Sequence, residues 1–168
     1  MLDYQRNNYP SPMPRELLVA IFSASPILEL KGGIPMGRLL GLPIEAAFFW
    51  AIIGNTIPVP ILLKYLEPIG NWLMKHSKWA NKYLTKIFET TQNKHHPRFQ
   101  RLGAIILLPV TAIPFPGSGA WTAALIAYLF KVPFKKALLL IFAGIICGGL
   151  IVSVLTESAV KIPGIFYQ

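Results

Sequence analysis

Acid, cysteine and histidine are all scarce in this chain. Seven Asp and Glu face 16 Lys and Arg across 168 residues, and charged residues make up 14%, where soluble domains carry about a quarter. Cys147 has no partner cysteine and lies inside an apolar run, which excludes an intrachain disulfide and a cysteine-based zinc site. It reads as a small apolar side chain. His76, His95 and His96 all fall between the two apolar halves. Adjacent histidines chelate one metal poorly, and no acid or cysteine is close, so they read as solvated. No nucleophile–base pair and no metal triad can be assembled. Neither an enzyme, a metal nor a cofactor is expected. The N-terminus, Met-Leu-Asp-Tyr-Gln, has no basic segment leading an apolar core, so no cleaved leader is expected.

What the chain does have is hydrocarbon. It is 54% hydrophobic with a mean hydropathy of +0.51. Uncharged runs at Ala46–Leu63, Leu102–Phe130 and Ala137–Thr156 approach the roughly 20 residues that a bilayer requires. The composition therefore predicts an all-α integral membrane protein.

The lengths do not suit simple spanning helices. The uncharged segment Leu17–Leu28 gives roughly 18 Å of helix against a hydrocarbon core of about 30 Å. Leu102–Phe130 as one helix would run roughly 43 Å. Both have breakers in the right place to become two half-length arms. In the first half the breaker is Glu29-Leu30-Lys31-Gly32-Gly33-Ile34-Pro35-Met36-Gly37-Arg38, where Gly-Gly and Ile-Pro disfavour regular helix. In the second it is Ile113-Pro114-Phe115-Pro116-Gly117-Ser118-Gly119-Ala120-Trp121. Charge and broken backbone at membrane depth are tolerated only inside protein or along a cavity. The first stretch is thus a candidate transport site, or else a surface loop between two short helices.

Each break is followed by a proline and a long apolar helix. Shifted by 90 residues, Pro43 falls on Pro133, Ala47 on Ala137 and Gly54 on Gly144; upstream a shift of 86 sets Gly33 on Gly119. Pro58 and Pro60 are expected to kink the first long helix. Asn55 beside them either bonds backbone freed at the kink or touches substrate. Between the halves, Lys75, Lys78, Lys82 and Lys86 recur at steps of three and four next to an aromatic-aliphatic face, the pattern of a helix lying in the headgroup plane. No nucleic-acid recognition motif accompanies the lysines, and nucleic acid is not an expected partner.

The expected architecture is two inverted repeats, each a re-entrant helical hairpin plus a transmembrane helix, joined by an amphipathic interfacial helix. The divisions are a flexible arm (1–14), repeat 1 (15–66), the linker helix (67–97), repeat 2 (98–158) and a tail (159–168). Charge supports it. The linker 64–101 holds six Lys and two Arg against Glu67 and Glu89, and Lys131, Lys135 and Lys136 follow the second hairpin. The inverted arrangement puts both on the cytoplasmic side of a plasma membrane and both termini outside. A plain four-helix bundle is the alternative. Gly144, Gly148 and Gly149 offer a small face, one candidate interface for a homodimer.

Pro26–Gly37, Gly54-Asn55 with Pro58-Val59-Pro60, and Ile113–Thr122 resemble the putative small multidrug export protein family over roughly residues 15–156. That family is similar to the DedA, or VTT-domain, superfamily, whose facing re-entrant loops and link to lipid translocation imply a flippase. DedA-type proteins carry acid and arginine in both halves. Here Glu29, Lys31 and Arg38 all sit in the first hairpin, and the shift of 86 sets Phe115 opposite Glu29.

Two transport readings follow. In the first, Lys31 or Arg38 receives the phosphate of a lipid-like substrate, backbone N–H groups at Gly33 and Gly119 add donors, and Ser118 adds a hydroxyl. Glu29 then titrates, with H+ or Na+ as coupling ion, or forms a fixed ion pair with Arg38. In the second, Glu29 with Trp50 and Trp121 takes lipophilic cations, provided that Lys31 and Arg38 are paired. A non-transporting scaffold is the third reading. The candidate substrate- or ion-binding set is Glu29, Lys31, Gly32, Gly33, Pro35, Arg38, Asn55, Pro114, Pro116, Gly117, Ser118, Gly119 and Trp121, with membrane lipids as the surrounding partner.

Overall fold

The structure, a computed structural model, describes residues 13–79, 81, 82, 85, 97–115 and 117–160, the side chains of 97–100 excepted. All regular structure among them is helical: α1 Arg15–Ala24, α2 Glu29–Leu39, α3 Ile44–Thr56, α4 Pro58–His76, α5 Pro97–Ala112, α6 Ala120–Leu129 and α7 Phe134–Val160. Residues 1–12 of the expected arm, 161–168 of the expected tail, Lys86 and the His95-His96 pair lie outside the described residues, and residues 159 and 160 of that tail belong to α7.

The first hairpin breaks earlier than the sequence suggests. Helix α1 stops at Ala24 because Pro26 forces Ser25 into extended backbone. The Ser25 hydroxyl donates to the Phe22 carbonyl at 2.8 Å and accepts from the Leu28 N–H at 3.2 Å. Helix α2 then runs without interruption through Gly32, Gly33 and Pro35, a correction to the break expected there. Pro35, the seventh of the eleven residues of α2, removes the single interior hydrogen bond that its N–H would make to the Lys31 carbonyl. The glycines cost about 1 kcal/mol each in propensity, and close packing offsets it. A Cβ on Gly33 would lie 1.8 Å from Ser23 Oγ of α1. The Arg15 guanidinium donates to the Leu40 carbonyl at 3.0 Å, so the hairpin begins and ends at one place.

The second half follows the expected division into two arms, α5 and α6, with the break at residues 113–119. Both long segments are present. Ile44–His76 spans 33 residues with mean hydropathy 1.8, and Phe134–Val160 spans 27 with mean hydropathy 2.8. At 1.5 Å per residue each exceeds a bilayer core. At the prolines a one-residue turn at Ile57, itself in right-handed helical backbone, separates α3 from α4, which opens on Pro58. Phe49, Ile61, Leu139, Leu150 and Val154 stay exposed along these helices, a continuous apolar surface suited to lipid rather than water. Helix α4 continues through residues 67–76 before Ser77 ends it. Lys75, Lys78 and Lys82 are exposed beyond its middle.

Local features recur in the two halves at corresponding positions. Helices α2 and α6 end in the same turn. Gly41 N–H bonds Arg38 O and Leu42 N–H bonds Gly37 O, while Lys131 N–H bonds Tyr128 O and Val132 N–H bonds Ala127 O. This is the Schellman pattern twice, with positive φ at Gly41 and Lys131 and a shift of 90. The same shift sets Glu29 on Gly119, both with positive φ at the start of the second arm. It corrects the upstream shift of 86. Gly54 receives the backbone of α1, its Cβ position being 2.0 Å from Ala20 O, and Gly144 receives α5, its Cβ position being 2.9 Å from Leu108 O. Gly148 and Gly149 are likewise covered, by Thr111 and Ala112 and by Phe48 and Ile52. The glycine face expected to join two protomers is therefore spent inside one.

The long helices cross the molecule in opposite senses. Arg38, just before α3, meets Glu157 near the end of α7. Glu67 and Asn71, late in α4, share a cavity with Lys131 and Phe134, where α7 begins.

Gly54→Ala would drive a methyl into a backbone carbonyl that cannot swing away. Overpacking of this kind costs about 1–3 kcal/mol or more, so thermal unfolding in detergent should show a large drop in Tm. Cys147→Ala, on an exposed position, should change stability by less than about 0.5 kcal/mol.

Candidate functional site

The two breaks meet. Glu29 opens α2 and is 4% exposed, yet its carboxylate belongs to the other half. Its Oε1 accepts the Trp121 N–H at 3.4 Å, at the start of α6, where backbone donors lack intrahelical partners and the helix dipole favours an anion. Gly119 allows this approach. A Cβ there would sit 1.7 Å from Glu29 Oε2, and its φ of 142° suits glycine.

Lys31 stands two residues along α2. Its ammonium lies 3.5 Å from Glu29 Oε2, donates to the Phe115 carbonyl at 2.6 Å and also donates to the Ser118 carbonyl. Glu29 and Lys31 thus pin one hairpin to the loop of the other. The Ser118 hydroxyl is occupied in shaping that loop, 2.6 Å from Ile113 O and 2.7 Å from Phe115 O. Thr122 Oγ1 donates to Gly117 O at 2.7 Å across the same turn.

Arg38 lies apart from this centre. Its Nε is 2.7 Å from Glu157 Oε1, and its Nη1 donates to Leu42 O at 2.7 Å. The fixed Glu29–Arg38 pair considered from sequence is not formed, because each residue has a nearer partner of opposite charge. Phe115 does face the first hairpin, but through its carbonyl and toward Lys31.

Three cavities order the remaining residues. An apolar vestibule of about 680 Å³ is lined by Lys31, Pro35, Arg38, Pro114, Val152 and Leu155, among others. Past Lys31 and Pro114 it adjoins a pocket of about 10 Å³ lined by Glu29, Asn55, Thr111 and Gly148. At the ends of α4 and α6 lies a third cavity of about 370 Å³, with Glu67, Asn71 and Tyr128 on its wall. Of the expected set, Glu29, Lys31, Asn55, Pro114, Ser118, Gly119 and Trp121 converge. Pro35 and Arg38 line the vestibule. Gly33 admits Ser23 of α1, Gly32 lies against the Leu28 side chain that leads into its own helix, Gly117 shapes the turn with φ 83°, and Pro116 lies outside the described residues. Trp50 packs against the hydrophobic core rather than at this centre.

The family model for the putative small multi-drug export protein matches residues 29–151, from Glu29 itself to the body of α7. The chain belongs to this family. No curated protein and no solved structure matches it. The second break and both Schellman turns fall within the matched segment, while the first break at residues 25–28 and the vestibule wall from Val152 to Val160 lie outside it.

Sequence reasoning missed Glu157, Thr111, Glu67 and Tyr128. A signal existed for three of them. Glu67 and Glu157 are related by the shift of 90, as are Arg38 and Tyr128, so the Arg38–Glu157 pair has a counterpart position in Tyr128 and Glu67.

A buried pair that loses one partner strands the other, at about 3–5 kcal/mol. Lys31→Met should therefore destabilise more than Glu29→Gln, which leaves Lys31 its two carbonyls. The double variant should recover part of the loss. Unfolding midpoints of the three proteins give the coupling as a double-mutant cycle. Arg38→Gln, at a partly exposed pair, should cost about 1 kcal/mol or less.

Proposed function

We propose that the chain exports amphipathic organic cations across the plasma membrane, with Glu29 as the carboxylate that meets their charge. The observation carrying this reading is that Lys31 and Arg38 are both paired with acids. Neither is unpaired when a cation approaches the resting protein, and the anion-binding N-terminus of α6 is already filled by Glu29. The apolar vestibule leads from the Arg38–Glu157 end toward that carboxylate, as an amphipathic substrate requires.

In this reading the two halves form an inverted repeat with re-entrant hairpins. Support comes from the opposed long helices, the shared 90-residue register and the Arg15–Leu40 contact that returns the first hairpin to its own face. Such repeats bind substrate at the interface of the halves and alternate access around it. The basic loops face the cytoplasm, so the larger vestibule opens outward and the Glu67–Tyr128 cavity lies inward. Substrate would displace Lys31 from Glu29, and loss of Lys31 from the Phe115 and Ser118 carbonyls would free the hairpins to move. No step breaks a covalent bond, and the chain is read as a transporter rather than an enzyme.

A phosphate-bearing lipid is the second reading, favoured by Lys31 and Arg38 flanking one apolar wall. Its headgroup would have to displace Glu29 or Glu157.

Proteoliposomes carrying a fluorescent lipophilic cation or a labelled polyprenyl phosphate separate the two. Protein-dependent cation movement should fall about tenfold, the equivalent of ~1.4 kcal/mol, in Glu29→Gln. Lipid movement alone, unchanged by that substitution, would favour the flippase. Neither movement, in folded protein, would leave the scaffold.

A further inference from the structure

The small pocket behind Lys31 holds a feature that substrate binding does not use. Asn55 is 1% exposed, and its Oδ1 has no hydrogen-bond partner among the described residues. A buried amide oxygen without a donor calls for a water or an ion. Thr111, also buried, spends its hydroxyl proton on the Leu107 carbonyl at 2.7 Å. Its oxygen therefore offers lone pairs only. Glu29 completes the wall. Three oxygen-bearing side chains thus come from three helices, α2, α3 and α5, and from both halves of the chain.

We infer that this pocket binds one sodium ion between Glu29, Asn55 and Thr111, in competition with the ammonium of Lys31. The volume of about 10 Å³ is roughly one probe sphere, so the occupant is small and stripped of most of its water. Hard cations take oxygen ligands, and divalent ones gather several carboxylates or keep several waters. One carboxylate among neutral oxygens suits a single positive charge. That carboxylate already has Lys31 as counter-ion, and two cations on one buried acid are costly. Sodium entry therefore releases Lys31, which lets go of the Phe115 and Ser118 carbonyls. Sodium occupancy and the grip between the hairpins become mutually exclusive.

The inference deepens the export reading at the same carboxylate, and its test needs no transport. Purified protein in nanodiscs is titrated with sodium chloride against choline chloride at constant ionic strength, reading Tm and bound radiolabelled sodium. A saturable, sodium-specific rise in Tm is expected in the wild type. Asn55→Ala should bind at least about tenfold more weakly. Lys31→Met should bind tighter and regain with sodium the stability it loses, a gain that misfolding cannot produce. Equal responses to sodium and choline in wild type and Lys31→Met would overturn the proposal and leave water only. Full sodium binding in Asn55→Ala would also overturn it. Sodium binding without cation export would refute the export reading and keep the site; export in sodium-free buffer without sodium binding would do the reverse.

Discussion

A single carboxylate in apolar surroundings sets the terms for this molecule. Glu29 is too costly to bury alone, and what neutralises it comes from both halves: Lys31 beside it, and the first turn of α6 across from it. Remove that bridge and the two hairpins have carbonyls and small residues to offer one another, with little to fix their relation. The close approach of Gly119, the opened-out loop at residues 113–119 and the reach of Lys31 to Phe115 and Ser118 all follow from satisfying one acid. Helix packing supplies the frame. Gly54 and Gly144 let α1 and α5 lie directly on the long helices, as small residues do where lipid gives no hydrophobic drive to association.

Element lengths carried most of the legible fold. A run too short to cross and one too long to be a single helix both implied half-length arms, and the second hairpin follows that reasoning closely. The first does not, because local propensity is a weak guide beside tertiary contact. Gly32, Gly33 and Pro35 read as breakers, but Gly33 is there to admit Ser23, and Pro26 makes the break. The recurrence at a shift of 90 was visible at Pro43/Pro133 and Gly54/Gly144. Its extension upstream was not, because the loops differ in length and Glu29 shares no chemistry with Gly119.

Most of the central site was legible as well, since charge in an apolar run marks itself. The pairing was not. Sequence order placed Arg38 as the natural partner of Glu29, whereas the true partner of Arg38 is 119 positions later, on α7. Long-range pairing depends on how helices are laid side by side, and apolar patterning says little about that when every face is apolar. Thr111 was hidden for the same reason: a hydroxyl that bonds its own helix looks like any threonine in a membrane segment.

Glu29 and Gly119 occupy the same register position in their respective halves and touch each other. A dimer of two identical halves could not be built this way. Two glutamates would set like charges in contact, which a low-dielectric interior does not tolerate. Two glycines would leave both helix N-termini uncapped. Carrying both halves on one polypeptide allows that shared position to hold two different residues, an acid on one side and the space for it on the other. The asymmetry at this point is thus a property that two corresponding segments on one chain make available and that simple self-association denies.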